Sequence, residues 1–188
     1  EINIISAEDY KTNKIKKIKG IIFDSEKLTH DMSKTIKNAR IGIVESISIL
    51  KRSSLDYEIS ISRPTESNSF KKFEGNYLKT MIDDLKRNRI NVLFTHKTID
   101  PSVSSILARN NIFAIRRIPM KTLNQITKLT GATFVLNTKE LNESTIGTVE
   151  TIVERKIGRK TWIHVDSKTN HSVFTLAIFS TLQRRANQ

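Results

Sequence analysis

The chain has 188 residues and no cysteine, which suits one domain with its own core. The missing thiols exclude a disulfide framework, a cysteine nucleophile and a cysteine-based zinc site. Hydrophobic residues make up 37% and charged residues 27%, as is typical of a globular protein of the reducing cytosol. No apolar run approaches the roughly 18 residues that a membrane span needs, and the N-terminus lacks a signal-peptide core. We therefore expect a cytoplasmic protein without a membrane partner.

The net charge of +13 is the strongest compositional signal. Such an excess raises the possibility of a polyanion partner. The lysines and arginines are spread over the whole chain, however, and aromatic residues rarely stand beside them. This dispersion favours a solvated surface over a patch that binds nucleic acid.

The first third of the chain predicts strands separated by polar connections. Residues 1–16 are interpreted as an N-terminal arm, and residues 25–38 as a long connection with two apolar anchors, Met32 and Ile36. Residues 55–62 alternate apolar and polar side chains, which predicts a strand with one face in water. The predicted strands cover residues 2–5, 17–24, 40–46 and 55–62.

An amphipathic helix is predicted for residues 69–89, with Ser69 as its N-cap. Its apolar stripe consists of Phe70, Phe73, Tyr77, Leu78, Met81, Ile82 and Leu85. The second half of the stripe is typical of a helix face that packs on a core. The first half is more aromatic and carries Gly75, which costs about 1 kcal/mol relative to Ala inside a helix. An ordinary core-facing helix and a helix with an exposed aromatic first half both remain open at this point.

The middle of the chain alternates strands and helices. Strands are predicted at 91–96 and 112–117, and helices at Pro101–Arg109 and 120–129. Asp100 followed by proline is a strong helix start, and Gly131 stands just beyond the second helix. This alternation up to residue 136 predicts a parallel α/β segment. Beyond it, strands are predicted at 148–156, 160–166 and 173–180, the first two joined as a hairpin, and residues 181–188 form a frayed tail.

Recognisable catalytic motifs are missing from the sequence. It contains no GxxxxGK[ST], GxGxxG, GxSxG or HExxH pattern. The four histidines, His30, His96, His164 and His171, lie on different segments without metal-ligand spacing. We therefore expect no catalysis by this chain and neither a cofactor nor a metal bound to it.

Five stretches, in order, resemble the apical domain of a group II chaperonin subunit, the family of the archaeal thermosome and its eukaryotic cytosolic relatives. The first is KIKGIIFDSEKLTHDMSKTIKNARIGIVES, with its KG strand, its H-x-x-M loop and its N-A-R-I strand. The second is RINVLFTHKTIDPSVSSILARNNIFAIRRI, which ends in A-x-R-R. TKLTGATFVLN, VERKIGRKTWIHVD and SVFTLAI complete the series, so that the resemblance spans residues 17–177.

The resemblance implies an α/β fold in which a β-sandwich core is flanked by helices and carries a protruding helical lid segment. Residues 17–180 would be the substrate-binding apical domain, with the protrusion at about 63–89. The implied function is binding of unfolded or non-native polypeptides and formation of the built-in lid of a folding chamber. The implied client-binding and lid residues are Phe70, Phe73 and Tyr77 on the protrusion, with Met32, Lys34, Ile36, Ser104, Ser105, Arg109 and Asn110 facing outward from the loop at 29–38 and the helix at 101–109.

The family's nucleotide-binding motifs have no counterpart in this sequence. The resemblance therefore implies that ATP and Mg²⁺ belong to other domains of a full-length parent, which would assemble with other subunits into a double ring. As an excised domain, the chain itself is expected to be monomeric. Two other hypotheses remain: a basic nucleic-acid-binding α/β domain, supported only by charge, and a metabolic α/β enzyme, which would need a polar pocket at the carboxyl ends of the parallel strands.

Overall fold

The computed structural model describes residues 2–8, 14–48, 64–157, 159–167 and 173–180; for residues 7, 8, 14, 64–74 and 180 it describes the backbone alone. The described residues form ten strands, three α-helices and one 3₁₀ turn. The strands are β1 (Ile2–Glu8), β2 (Lys14–Lys19), β3 (Ile21–Asp24), β4 (Thr35–Val44), β5 (Val92–Thr95), β6 (Phe113–Ile115), β7 (Phe134–Val135), β8 (Gly147–Ile157), β9 (Lys160–Asp166) and β10 (Phe174–Ser180). The helices are α1 (Pro64–Arg87), α2 (Pro101–Arg109) and α3 (Met120–Thr130), and the 3₁₀ turn is Thr138–Glu140. The predicted strand at 55–62 and the tail at 181–188 lie outside the described residues.

The larger sheet has the strand order β3-β9-β8-β4-β5-β6, with β7 beside β4. β4, β5 and β6 are mutually parallel, and β7 runs parallel to the last two residues of β4. The predicted parallel α/β segment is thereby confirmed. β8 and β9 form the predicted antiparallel hairpin, which pairs as far as Ile157 with Lys160.

The smaller sheet has the order β1-β10-β2. The single strand predicted for residues 17–24 is wrong, because the chain changes from one sheet to the other at Gly20. Gly20 has a φ of +81°, and a Cβ there would lie 2.1 Å from the carbonyl oxygen of Val165. Only glycine permits this backbone geometry together with such a close approach. The strand predicted at 2–5 extends to Glu8 and pairs in parallel with β10.

β4 begins at Thr35, well before the predicted start at residue 40. The first part of this strand pairs with β8, from Thr35 opposite Val153 to Ile41 opposite Gly147. The partner strand lies more than a hundred residues away in the sequence, so local composition gave no sign of the pairing. The connection between β3 and β4 is consequently shorter than predicted and covers residues 25–34.

Two of the three helices have nearly the predicted bounds. α2 has them unchanged, and the Asp100 carboxylate accepts a hydrogen bond from the Ser102 amide at 3.0 Å. α3 ends before Gly131, which adopts a left-handed φ of 77°. The start predicted for α1 at Ser69 is wrong: the helix begins at Pro64, because proline is favourable in the first helical turn, where its missing N–H has no intrahelical acceptor.

Most of the buried apolar residues belong to one core that joins the larger sheet to the helices. The lower half of α1 contributes Leu78, Met81, Ile82 and Leu85, all buried. A second, smaller cluster consists of Ile22, Trp162, Ala177 and Phe179, and attaches the three-stranded sheet to β3 and β9. The α/β class with a sheet core flanked by helices is thus confirmed. In the described part of the chain, no helix combines the length and the apolar character that crossing a membrane requires.

Candidate functional site

The connection between β3 and β4, residues 25–34, lies against the outer edge of β6. The Leu28 amide donates to the carbonyl oxygen of Ala114 at 2.9 Å. The Ala114 amide in turn donates to the Met32 sulfur at 3.4 Å. Because β6 is the last strand of the larger sheet, these bonds use polar groups that an edge strand would otherwise expose. The loop is therefore a built part of the sheet edge.

Lys27 and Glu154 hold this loop in place. The Lys27 ammonium lies 3.6 Å from the Glu154 carboxylate, and the two side chains are only 8% and 10% exposed. The same ammonium donates to the carbonyl oxygen of Met32 at 2.6 Å. The Lys27 amide donates to the Glu154 carboxylate at 3.2 Å, and the Glu154 amide donates to the carbonyl oxygen of Lys34 at 2.8 Å. Glu154 on β8 thereby fixes both ends of the loop.

A small cleft, the α2 cleft, separates the loop from the C-terminal end of α2. It has a volume of about 20 Å³ and is lined by Asp31, Met32, Ser33, Ile36, Ala108, Asn111, Ile112 and Phe113. Ser105 and Arg109 are exposed on α2, whereas Ile106 and Ala108 are half-buried there. Within the cleft itself, the exposed Asp31, Ser33 and Asn111 border the half-buried Ile36 and Ala108. Such a surface can hold an extended polypeptide weakly without requiring one shape.

The predicted outward-facing residues of the loop and of α2 differ in exposure. Met32 is 5% and Ser104 is 9% exposed, so the prediction that these two side chains face outward is wrong. Met32 packs in the main core, and Ser104 lies with Val103 and Leu107 on the buried side of α2. The remaining predicted residues are exposed or half-buried: Lys34, Ser105 and Arg109 are exposed, and Ile36 and Asn110 are half-buried.

The predicted site residues on α1 lie elsewhere. Tyr77 is half-buried against the main core and lines a groove of about 220 Å³ with the exposed Leu136. The backbone at Phe70 and Phe73 is helical, but their side chains lie outside the described residues. The structure therefore brings Met32 and Ile36 of the predicted set against the C-terminal end of α2, and it leaves the predicted α2 residues and the aromatic set of α1 as separate predictions.

Sequence reasoning missed Lys27, Glu154 and Ala108 as parts of this site. Lys27 and Glu154 are 127 residues apart, and no local pattern connects them. Ala108 lies in the last turn of a helix whose start was predicted correctly. Projection of that helix on a wheel, with Val103 and Leu107 buried, would have placed Ala108 near the boundary of the apolar face.

An exposed ion pair supports the end of α1. The Arg40 guanidinium donates to both Glu143 carboxylate oxygens, at 2.7 and 2.8 Å, and also to the carbonyl oxygen of Asn88 at 3.2 Å. The hydrogen bond and the charge of Arg40 hold the pKa of Glu143 below its usual value. In the described residues, no group of three or more histidine, aspartate or glutamate side chains is arranged to hold a metal ion.

Comparison with known proteins gives consistent matches. A sequence model described as the TCP-1/cpn60 chaperonin family matches residues 1–181. A thermosome subunit of Methanothermococcus thermolithotrophicus is 32% identical over 182 residues, which are 97% of this chain and 34% of that protein. Thermosome subunit alpha of Thermoplasma acidophilum is 34% identical over 141 residues, which are 75% of this chain and 26% of that protein.

Among solved structures, the open-state monomer of a group II chaperonin from Methanococcoides burtonii superposes with a TM-score of 0.76. The sequence identity is 17%, and the match covers 99% of this chain and 40% of that chain. At this identity the superposition shows a shared fold. The chain thus spans about a third or less of the length of the two thermosome relatives that it matches.

Proposed function

The chain belongs to the TCP-1/cpn60 chaperonin family, and we propose that it is the apical, client-binding domain of a group II chaperonin subunit. In this proposal it binds non-native polypeptides, and α1 forms the helical protrusion that contributes to the lid of the folding chamber. The parent subunit hydrolyses ATP with Mg²⁺ on other domains and assembles in a double ring in the cytoplasm. The domain itself has no catalytic role and is monomeric.

The observation that carries the proposal is the α2 cleft. The loop at 25–34 is fixed by the Lys27–Glu154 pair and by its bonds to β6, so that it stands beside α2 with little freedom. A rigid surface with the half-buried Ile36 and Ala108 side chains offers apolar contact area to an extended chain at low entropic cost. On α2, Ser105 lies one turn before the cleft residue Ala108 and Arg109 follows it directly; both are exposed, and in this proposal they supply adaptable polar contacts beside the cleft.

The test is binding of a fluorescent, permanently unfolded protein to the 188-residue chain. The cleft variant is Ser105→Glu/Arg109→Glu, which introduces carboxylates on the exposed side of α2. Its matched control is Lys121→Glu/Asn124→Glu on the exposed side of α3, which changes the net charge by the same amount. We expect about tenfold weaker binding for the cleft variant, equivalent to about 1.4 kcal/mol, and little change for the control. Equal affinities of the two variants would refute the role of the α2 cleft.

The protrusion is tested separately with Phe70→Ser/Phe73→Ser in the same assay. If these aromatic side chains contact clients, the double variant binds more weakly while its unfolding midpoint stays close to that of the wild type. An unchanged affinity would remove α1 from the client surface and leave the cleft as the binding site.

A further inference from the structure

The first residues of the loop at 25–34 line a groove with an excess of positive charge. It has a volume of about 410 Å³ and is lined by Asp24, Ser25, Glu26, Lys27, Leu28, Arg116, Arg117, Arg159 and Thr161. A second hollow of about 490 Å³ shares Glu26, Lys27, Leu28 and Thr161 with it and adds Thr29, His30, Lys34, Glu154 and Lys156. The two are therefore continuous, and together they are called the basic groove.

The positive charge of the basic groove is not balanced by its own carboxylates. Lys27 is paired with Glu154, and Asp24 is paired with Lys160 at 2.6 Å. The lining groups left after these pairs include two arginines and two lysines, with the carboxylate of Glu26 beside them. These basic residues are Lys34, Arg116, Arg117 and Lys156, all of them exposed.

Arg116 and Arg117 form the best-defined part of this charge. In the part of the chain that the structure describes, neither guanidinium has an ion-pair partner. Arg117 adopts a left-handed φ of 58°, and its amide donates to the carbonyl oxygen of Lys97 at 3.0 Å. The next residue, Ile118, is 1% exposed and anchors the segment in the core. Two adjacent arginines are thus carried on a fixed backbone beside the groove.

We propose that the basic groove binds acidic segments of client polypeptides, so that the domain prefers clients with clustered aspartate and glutamate residues. This inference rests on the proposed function and specifies which clients it selects. Carboxylates match the donor geometry of arginine, which can engage one carboxylate with two parallel hydrogen bonds. The half-buried Leu28 in the wall of the groove adds apolar contact for the side chains between the charges.

The lining favours a peptide over a nucleic acid. Glu26 and Asp24 interrupt the positive surface, and a continuous phosphate backbone would meet both carboxylates. Apart from His30, the described residues that line the basic groove include no aromatic side chain, whereas proteins that bind single strands usually stack successive bases on several such rings. A polypeptide can place its acidic side chains beside the arginines and its neutral residues beside the carboxylates.

The experiment measures fluorescence anisotropy of three labelled probes with the full chain: an unstructured peptide rich in aspartate and glutamate, the same peptide with lysine at every acidic position, and a single-stranded oligonucleotide. The groove variant is Arg116→Gln/Arg117→Gln, and the charge-matched control is Lys79→Gln/Lys86→Gln on exposed positions of α1. We expect the wild type to bind the acidic peptide at least about tenfold more tightly than its lysine counterpart. The groove variant should lose most of this preference, and the control should keep it.

Three outcomes would overturn the inference. If the groove variant and the control lose the preference for the acidic peptide to the same extent, only the net charge of the chain determines binding. Equal binding of the acidic and lysine peptides would show that the basic groove does not select. A groove-dependent preference for the oligonucleotide over the acidic peptide would reassign the groove to nucleic acid. The unfolded-protein assay with the Ser105→Glu/Arg109→Glu variant distinguishes these results from a failure of the proposed function. A chain that binds clients through the α2 cleft alone would bind the unfolded protein more weakly in that variant, but it would show no groove-dependent preference for the acidic peptide.

Discussion

The Lys27–Glu154 pair allows a quantitative test of how the loop at residues 25–34 is held. In Lys27→Met the Glu154 carboxylate, 10% exposed, keeps its burial but loses the cation 3.6 Å away. Removing one partner of a buried pair costs about 3–5 kcal/mol. The pair borders a groove that admits water, so we expect Lys27→Met to cost the lower end of this range. The free energy of unfolding should fall by about 3 kcal/mol, which includes the lost hydrogen bond to the Met32 carbonyl oxygen.

The double variant Lys27→Met/Glu154→Gln removes both charges and should be more stable than Lys27→Met. In the double variant, the glutamine side-chain oxygen can still accept a hydrogen bond from the backbone amide of residue 27. In the wild type the Glu154 carboxylate accepts this bond at 3.2 Å. Glu154→Gln alone should cost about 1–2 kcal/mol, because the ammonium keeps its bond to Met32. We expect the double variant to be about 2 kcal/mol less destabilised than the sum of the single variants.

The assay is urea unfolding followed by circular dichroism, with the midpoint and slope compared among variants. The matched control is the exposed pair Lys160–Asp24, whose side chains are 53% and 49% exposed. Lys160→Met and Asp24→Asn should each change the free energy of unfolding by less than about 1 kcal/mol. If Lys27→Met costs no more than Lys160→Met, or if the Lys27 and Glu154 effects simply add, the pair does not hold the loop.

Two further predictions concern backbone geometry and pH. Gly20→Ala should destabilise the protein by about 3 kcal/mol or more, since the new Cβ would lie 2.1 Å from the Val165 carbonyl oxygen at a φ of +81°. Gly75→Ala, where a new Cβ would meet nothing within 4 Å, should stabilise the protein by about 1 kcal/mol in the same urea unfolding assay. Equal effects of the two substitutions would contradict this reasoning. Because Arg40 lowers the pKa of Glu143, the stabilisation from this bond is fully present above the unfolded pKa of about 4.3 and is lost as the pH falls through the lower folded pKa. The stability difference between wild type and Glu143→Gln should therefore be constant from about pH 7 to pH 5 and vanish in stronger acid, whereas a difference that grows on acidification would refute the assignment.

Local sequence signals predicted most of the regular structure because they describe interactions within a few residues. Asp100 before proline located the start of α2, and Gly131 located the end of α3. The strands β5 and β6 on either side of α2 are short and apolar, and they are buried in the sheet as such runs usually are. The start of α1 was missed because Ser69 also resembles a cap, and the local pattern does not decide between it and Pro64.

The candidate site was predictable in its position but not in its details. The resemblance brought the loop and α2 together, and the structure places them on the two sides of one cleft. Helical periodicity places Ser104 close to the buried Val103 and Leu107, but its polar side chain argued for the surface. Met32 was assigned to the surface of a polar loop, whereas the Ala114 amide and the core retain it inside.

The sequence by itself determined the α/β class, the parallel segment from β5 onward and the family resemblance, since composition, period and capping residues are local properties. Only the tertiary structure decided where the chain changes sheets, which loop residues are buried and how that loop is held. The physical reason is distance along the chain: Gly20 meets Val165, and Lys27 meets Glu154 across 127 residues. Such contacts exist only after the sheets have formed, and they determine which side chains of the loop remain exposed to solvent.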